Sequence, residues 1–185
     1  GLVTDLKKDR LLVAGVLEDS REDIEEINSY RYRLTAPSAN LDTVFQIVRY
    51  EFNPLLSPNT KFNDNTYNVL VSTGHIALLD QSLAESLNNL YSSENAALTW
   101  TSLTFETYRN LGAEFMTKFP LRFRSGPMNS GPLNEILWNT ADKRDLASQF
   151  NAVLVSRMAH NRVTFNWFEP VLKEIDILLE ELENN

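Results

Sequence analysis

The two histidines are the first residues to test for chemistry, because histidine is the commonest metal ligand and a frequent general base. Helical proteins that bind two iron or manganese ions use Glu-x-x-His pairs that point into the bundle. Ser72 stands three residues before His75, and Arg157 stands three residues before His160. Neither histidine belongs to such a pair, so the sequence predicts no metal ligands and no bound cofactor.

His160 and Asn161 interrupt a run of large apolar residues in the last predicted helix. One interpretation is a polar spot that lines an internal pocket, which makes both residues candidate contacts for a ligand or partner. The other is a buried asparagine that fixes the register between packed helices, at some cost in stability. The register interpretation is the more usual one, because buried polar groups are commonly satisfied by their neighbours.

Two arginines flank an aromatic residue in the segment Arg122-Phe123-Arg124, within a predicted loop. Guanidinium groups bind carboxylates and phosphates through paired hydrogen bonds, so these three residues are candidate ligand or partner contacts. The alternative is that the arginines pair with nearby acids of this acidic chain, as surface arginines usually do. Residues 30–33, Tyr-Arg-Tyr-Arg, form a similar patch and have the same two interpretations.

Acidic residues are concentrated in two runs, residues 18–26 and 174–183. A calcium-binding loop would need alternating oxygen ligands and a turn glycine, which neither run has. We therefore predict that the carboxylates lie on solvated helix faces. The chain also lacks a Gly-x-Ser-x-Gly elbow and a glycine-rich phosphate loop. We predict no catalytic residue, and a protein that is not an enzyme.

The composition limits the class of partner. The chain has 185 residues, a formal net charge of −8 and a hydrophobic fraction of 43%, which is enough for one globular domain with its own core. An acidic chain repels phosphate backbones, so we expect a protein or a small molecule as partner and not a nucleic acid. The absence of cysteine excludes disulfides and thiolate chemistry, and it fits either the cytoplasm or the periplasm.

Apolar residues recur at helical spacing in three long segments and three short ones. The long segments are residues 2–32, 80–118 and 140–182, and the short ones begin near residues 37, 65 and 135. Pro37 suits the first turn of the second helix, and Thr140 is the predicted N-cap of the last. Gly74 is predicted to end the short helix from residue 65 in a left-handed conformation. Pro170 lies inside the last helix, where it removes a backbone hydrogen bond.

Long apolar stripes must bury one another, so these segments predict an all-α fold. We expect an elongated, mostly antiparallel bundle of three to four long helices with one or two short helices. One domain is expected to span residues 1–185. The first helix has Leu2, Val3 and Leu6 already in phase and no capping residue before them. We interpret Gly1 as a processing remnant and expect an upstream segment that carries a targeting or anchoring signal.

Two stretches of the chain resemble a family of uncharacterised bacterial proteins known only as a domain of unknown function. The first runs from Phe62 to Gly74 and continues through Leu78-Leu79 to Leu90-Tyr91, and its Tyr-x-x-Leu-x-x-x-Gly core is the specific part. The second pairs the charged opening helix with a closing helix that ends Leu178-Leu179-Glu180-Glu181-Leu182. The resemblance implies an N-terminal transmembrane helix followed by a helical extracytoplasmic region, and it transfers no catalytic residue.

These observations favour a non-enzymatic, membrane-tethered helical domain that senses or binds an unknown ligand. We expect it to be anchored through its upstream segment and to lie in the periplasm, with a cytoplasmic location as the alternative. A structural or scaffolding role through self-association is the second hypothesis, because the last helix sustains its apolar phase long enough to enter an oligomeric bundle. An enzyme is the third, and it would need a pocket with titratable groups near His75, His160 or Arg122.

Overall fold

The computed structural model describes residues 1–57, 61–121 and 130–184. These residues form six α-helices and one short 3-10 helix, and no strand occurs among them. The helices are α1 (Leu2–Leu34), α2 (Leu41–Tyr50), α3 (Asn65–Ser72), α4 (Gln81–Lys118), α5 (Gly131–Thr140) and α6 (Lys143–Asn184), with the 3-10 helix at His75–Leu78. The predicted all-α class with three long helices is confirmed. Within the described ranges, no helix combines the length and apolar character needed to cross a bilayer.

The chain divides into two compact units, and each long helix contributes a part to both. Unit 1 comprises Gly1–Glu22, Pro58–Leu103 and Asn161–Asn185, and unit 2 comprises Asp23–Ser57 and Thr104–His160. Each unit has its own hydrophobic core. The sequence expectation of one domain over the whole chain stays a prediction, and the units are described separately below.

The core of unit 1 is formed by apolar residues from α1, α4 and α6, which repeat at the predicted helical spacing. Its buried members include Leu6, Val13, Leu87, Leu90, Phe168, Val171 and Ile175. Phe62, from the segment before α3, stacks on Phe168 with a centroid distance of 5.9 Å. Trp100 of α4 and Trp167 of α6 stack in nearly parallel planes, 6.2 Å apart, and about half of Trp100 is exposed.

The core of unit 2 is aromatic. Phe52, which follows α2, is fully buried, and its ring centroid lies 5.0 Å from that of Phe150 and 6.3 Å from those of Tyr30 and Phe115. Trp138 of α5 is also buried and stacks against Phe119 at the end of α4. Helix α5 and the segment after α2 therefore each add a large ring to those that the long helices contribute to this core.

Two predicted helix starts are wrong. Helix α2 does not begin with Pro37, because Asn40 forms a complete capping box with Thr43 and so sets the first turn later. Thr140 does not cap α6, because it is the last residue of α5 and its hydroxyl donates to the carbonyl of Ile136. Asp142 takes that role, since its Oδ1 accepts hydrogen bonds from the backbone N–H groups of the first turn.

Gly74 and Pro170 lie where the sequence predicts them, whereas the N-cap of α3 is one residue earlier than predicted. Gly74 has a φ of 74°, the left-handed conformation that the sequence predicts at the end of α3. Pro170 lies inside α6, which continues to Asn184. Asp64, not Asn65, is the N-cap position of α3. The carboxylate of Asp80 accepts the backbone N–H of Ser82 at 2.9 Å, as expected for a residue that caps α4.

Replacing Asn40 with alanine is expected to destabilise the protein by about 1 kcal/mol. The Asn40 side chain accepts backbone hydrogen bonds from Asp42 at 2.9 Å and Thr43 at 3.1 Å, and alanine leaves both donors without that partner. Urea unfolding followed by circular dichroism measures the change. Asn95→Ala, on an exposed face within α4, is the matched control, and an equal loss in the two variants would contradict the capping role.

Candidate functional site

The candidate contacts predicted from the sequence fall into two groups. Arg122, Phe123 and Arg124 lie outside the described residues, so that prediction stays a prediction. His160 and Asn161 lie in α6, and both are buried, with 5% and 2% of their surface exposed. His160 belongs to unit 2 and Asn161 to unit 1.

His160 is held by neighbours from α4. Its Nδ1 lies 3.0 Å from the hydroxyl of Thr104, and its ring centroid lies 5.8 Å from that of Phe105. Burial lowers the pKa of His160 below its ordinary value, against the opposing charge of Asp23. The imidazole is therefore neutral near pH 7. Asn161 is likewise buried and has an interaction partner, which agrees with the structural interpretation of this pair.

The strongest polar network of unit 2 centres on Arg157, one turn before His160. Its Nε donates to Asp23 Oδ2 at 2.9 Å, its Nη1 donates to the carbonyl of Asn53 at 2.7 Å, and its Nη2 donates to Asp23 Oδ1 and Glu26. The Arg157 and Asp23 side chains are 4% and 7% exposed. The prediction that residues 18–26 form a solvated face is therefore wrong at Asp23, whose carboxylate turns inward to meet the guanidinium.

Arg157 keeps its charge although it is buried. Burial alone would lower the pKa of Arg157, but the hydrogen bond and the negative charge of Asp23 outweigh it and raise that pKa. The guanidinium also lies over the Phe52 ring, 5.6 Å from its centroid. Because its donors are occupied by protein acceptors, we interpret this network as a brace that ties α1 and α6 to the segment after α2.

Unit 1 holds a different kind of polar group. Among the described residues, the buried side-chain oxygens that have no hydrogen-bond partner are Asp9 Oδ2, Tyr91 Oη, both carboxylate oxygens of Glu94, and Glu174 Oε2. All of these residues belong to unit 1. We call Asp9, Tyr91, Glu94 and Glu174 the Glu94 cluster. Buried polar atoms are nearly always paired, so a concentration of unpaired oxygens in one unit requires an explanation.

Three helices position the Glu94 cluster. Tyr91 and Glu94 lie one turn apart on α4, and they are 3% and 2% exposed. Asp9 of α1 is fully buried. Its Oδ1 accepts two hydrogen bonds from Asn63, one from the backbone N–H at 2.9 Å and one from the side-chain amide at 2.6 Å, whereas its Oδ2 has no partner. Glu174 of α6 receives a long hydrogen bond of 3.4 Å from Ser93.

The electrostatics of the cluster favour its neutral forms. Burial raises the pKa of Glu94 to about 9, and the negative charges of Asp9, Asp64 and Glu174 add to the rise. Burial also raises the pKa of Asp9, against the hydrogen bonds from Asn63. The pKa of the Tyr91 hydroxyl is raised by burial and by Glu94. Glu94 therefore holds a proton at neutral pH.

Glu174 is the member of the cluster that is only partly buried. It lines a groove together with Ser86, Asn89, Ile177 and Leu178. Within the described ranges, no group of three or more His, Asp or Glu side chains is placed to hold a metal ion. The cluster therefore offers buried carboxyl oxygens that can accept positive charge or hydrogen-bond donors.

The sequence contained one indication of these residues that the prediction did not use. Asp9 lies at helical spacing between the apolar residues Leu6 and Val13, on the same face of α1. Glu94 lies in the same way between Leu90 and Ala97 on α4. A charged residue at a buried phase of a helix is rare unless it is paired. Asp9 and Glu94 lie outside the two acidic runs for which solvated faces were predicted. Glu174 lies in the second run, and the prediction is wrong there because its Oε2 is buried.

The sequence matches no family model, and neither a curated protein nor a solved structure shows significant similarity to it.

Proposed function

We propose that this chain is a non-catalytic helical sensing or binding domain, and that the Glu94 cluster of unit 1 is the site that responds to its ligand. The main support for this proposal is that Asp9, Tyr91, Glu94 and Glu174 have buried side-chain oxygens without a hydrogen-bond partner. Each buried polar group without a partner costs about 1–3 kcal/mol of stability. A ligand that supplies positive charge or hydrogen-bond donors recovers part of that cost when it binds, which couples its concentration to the stability of unit 1.

The ligand class follows from the charge of the site. The oxygens without a partner belong to three carboxyl groups and one hydroxyl group. Such a site favours a proton, a metal cation or an ammonium group over any anion. Glu174, one member of the cluster, also lines a surface groove. A catalytic role is less well supported, because the histidine of unit 2 is buried and its Nδ1 lies 3.0 Å from the Thr104 hydroxyl.

We expect the unfolding temperature to respond to solution conditions through this cluster. The wild type is unfolded in a pH series and, at pH 7.5, with chloride salts of potassium, magnesium, calcium and spermidine. At least one series is expected to shift the midpoint by several degrees, and the double variant Asp9→Asn/Glu94→Gln is expected to lose that shift. Glu85→Gln, exposed on the same helix, is the matched control. An identical response from wild type and double variant would refute the assignment of the site.

Membrane tethering is the second part of the proposal. It is supported by the resemblance of residues 62–91 to a bacterial family whose members carry an N-terminal transmembrane helix before a helical extracytoplasmic region. In this proposal the domain lies in the periplasm, anchored by a segment upstream of Leu2. Fractionation of cells that express the full-length gene tests it, and recovery of the protein in the supernatant after ultracentrifugation would contradict it.

Self-association is the alternative function, and one surface favours it. Helix α5 exposes Leu133, Ile136 and Leu137 at spacings of three and four residues. Light scattering over a wide concentration range distinguishes the two functions. A mass that rises with concentration in the wild type and not in Ile136→Glu would support scaffolding, whereas a constant monomer mass would dismiss it.

A further inference from the structure

We propose that the Glu94 cluster is a proton-operated switch, in which unit 1 packs tightly while Glu94 holds a proton and loosens when that proton is lost. This inference rests on the proposed function and names its ligand. It is carried by the geometry of the cluster, in which Glu94 is 2% exposed and neither of its carboxylate oxygens has a hydrogen-bond partner, and in which Oδ2 of the fully buried Asp9 also has none.

The charged groups that act on Glu94 are negative. Asp5 and Asp9 come from α1, Asp64 from the segment before α3, and Glu174 from α6, and all except Asp5 act on Glu94 directly. Asp5 acts on the neighbouring Asp9 and Tyr91.

The basic residues of unit 1 that form ion pairs do so elsewhere. Among the described residues, Lys7 pairs with Glu183 and Arg10 with Asp176. No ion pair of the described residues involves Asp9, Glu94 or Glu174. The charged groups that act on Glu94 are Asp9, Asp64 and Glu174, and none of these is basic.

Counting donors and acceptors favours a proton. With every carboxyl ionised, the unpartnered atoms are four carboxylate oxygens and the Tyr91 oxygen, and the Tyr91 hydroxyl is the sole donor among them. One proton on Glu94 removes a buried charge and adds a second donor. Metal ions are disfavoured because the described residues contain no group of three His, Asp or Glu side chains placed to enclose one.

The switch acts through packing. Glu94 lies between Leu90 and Ala97 on the buried face of α4, and both of these neighbours are fully buried. An ionised carboxylate there requires water, and water reaches it only if the helices of unit 1 separate locally. Loss of the proton thus favours an opened form of unit 1 over the packed form.

The pKa shifts of the buried groups give the direction in which the stability of each unit depends on pH. Glu94 titrates with a pKa of about 9 in the folded protein, against an ordinary value of 4.5. The stabilisation is therefore fully present below about pH 4.5 and is lost as the pH rises to about 9. The raised pKa of Asp9 acts in the same direction. In unit 2, the lowered pKa of His160 acts in the opposite direction, because stability is lost as the pH falls through its ordinary value of 6.5.

Hydrogen exchange resolved by mass spectrometry tests the switch in the intact chain. After correction for intrinsic exchange, protection of peptides that cover Leu87 to Leu98 is expected to fall between pH 5 and 9, by up to about tenfold per pH unit for one proton. Peptides that cover Phe150 to His160 in unit 2 are expected to lack this alkaline loss. Glu94→Gln should remove the slope and be better protected than wild type at pH 9, whereas Glu85→Gln should keep the wild-type profile.

A direct measurement keeps the proposal testable if Glu94→Gln folds poorly. Infrared difference spectra at pH 7 are expected to show the carbonyl stretch of a protonated carboxyl group in the wild type, with altered intensity or frequency in Asp9→Asn. A flat exchange profile in unit 1, or no protonated carboxyl at pH 7, overturns the switch. If a salt series nevertheless stabilises the wild type and not the double variant, the proposed binding site stands with another cation as its ligand. If neither pH nor any salt acts through the cluster, both proposals fail.

Discussion

Replacement of Arg157 by methionine is expected to lower the free energy of unfolding by about 3–5 kcal/mol, the largest effect we predict for a polar residue. Methionine fills a similar volume but leaves the Asp23 carboxylate, 7% exposed, without its guanidinium partner. It also leaves the carbonyl of Asn53 without the 2.7 Å hydrogen bond from Nη1. Urea denaturation followed by circular dichroism measures the loss.

A double-variant cycle separates the ion pair from packing. Arg157→Met combined with Asp23→Leu removes both charges, and it is expected to be more stable than Arg157→Met alone because no unpaired buried charge remains. Arg162→Met, at an exposed position of the same helix, is the control and is expected to change stability by less than about 0.5 kcal/mol. If the double variant is no more stable than Arg157→Met, the buried charge is not the cause of the loss.

Replacement of Phe52 by alanine is expected to cost about 3–5 kcal/mol, the range for a large buried aromatic side chain. The residue is fully buried, and its ring contacts those of Tyr30, Phe115 and Phe150 edge-on. It also lies beneath the Arg157 guanidinium. Alanine leaves a cavity at the centre of the unit 2 core.

The matched control for this cavity is Tyr32→Ala, because Tyr32 is 81% exposed and its removal opens no space in a core. Chemical denaturation of both variants gives the comparison, with less than about 0.5 kcal/mol expected for Tyr32→Ala. Phe52→Leu should recover much of the loss by refilling the cavity. A loss of less than about 1 kcal/mol in Phe52→Ala would show that the described core does not carry the stability of unit 2.

The long helices could be predicted because apolar residues recur at helical spacing many times along each segment. Each apolar stripe has many members, so an error at one position leaves the helix in place. Helix starts rest on single residues and are less certain. Thr140 and Asp142 lie two positions apart and both have side chains suited to an N-cap, and only the backbone path decides that Asp142 accepts the N–H groups of α6.

The polar interior could not be predicted in the same way. Arg157 and Asp23 are 134 positions apart, and nothing in the spacing of either residue identifies the other. The helical spacing shows that Asp9 and Glu94 fall on the apolar face of their helices. It does not show whether a carboxylate on that face pairs with a basic side chain. Unit 2 supplies an arginine for Asp23, whereas the charged groups that act on Glu94 are the acids Asp9, Asp64 and Glu174.

The tryptophans provide a separate optical reporter for each unit. The chain has three, and Trp138 in unit 2 is buried, while Trp100 in unit 1 is half exposed and stacks on Trp167. Indole fluorescence shifts to longer wavelength with contact with water, so Trp138 should emit in the blue part of the spectrum and Trp100 towards the red. A water-borne quencher such as iodide should reach Trp100 first. The emission wavelength of one unlabelled sample would then report which of the two units has opened.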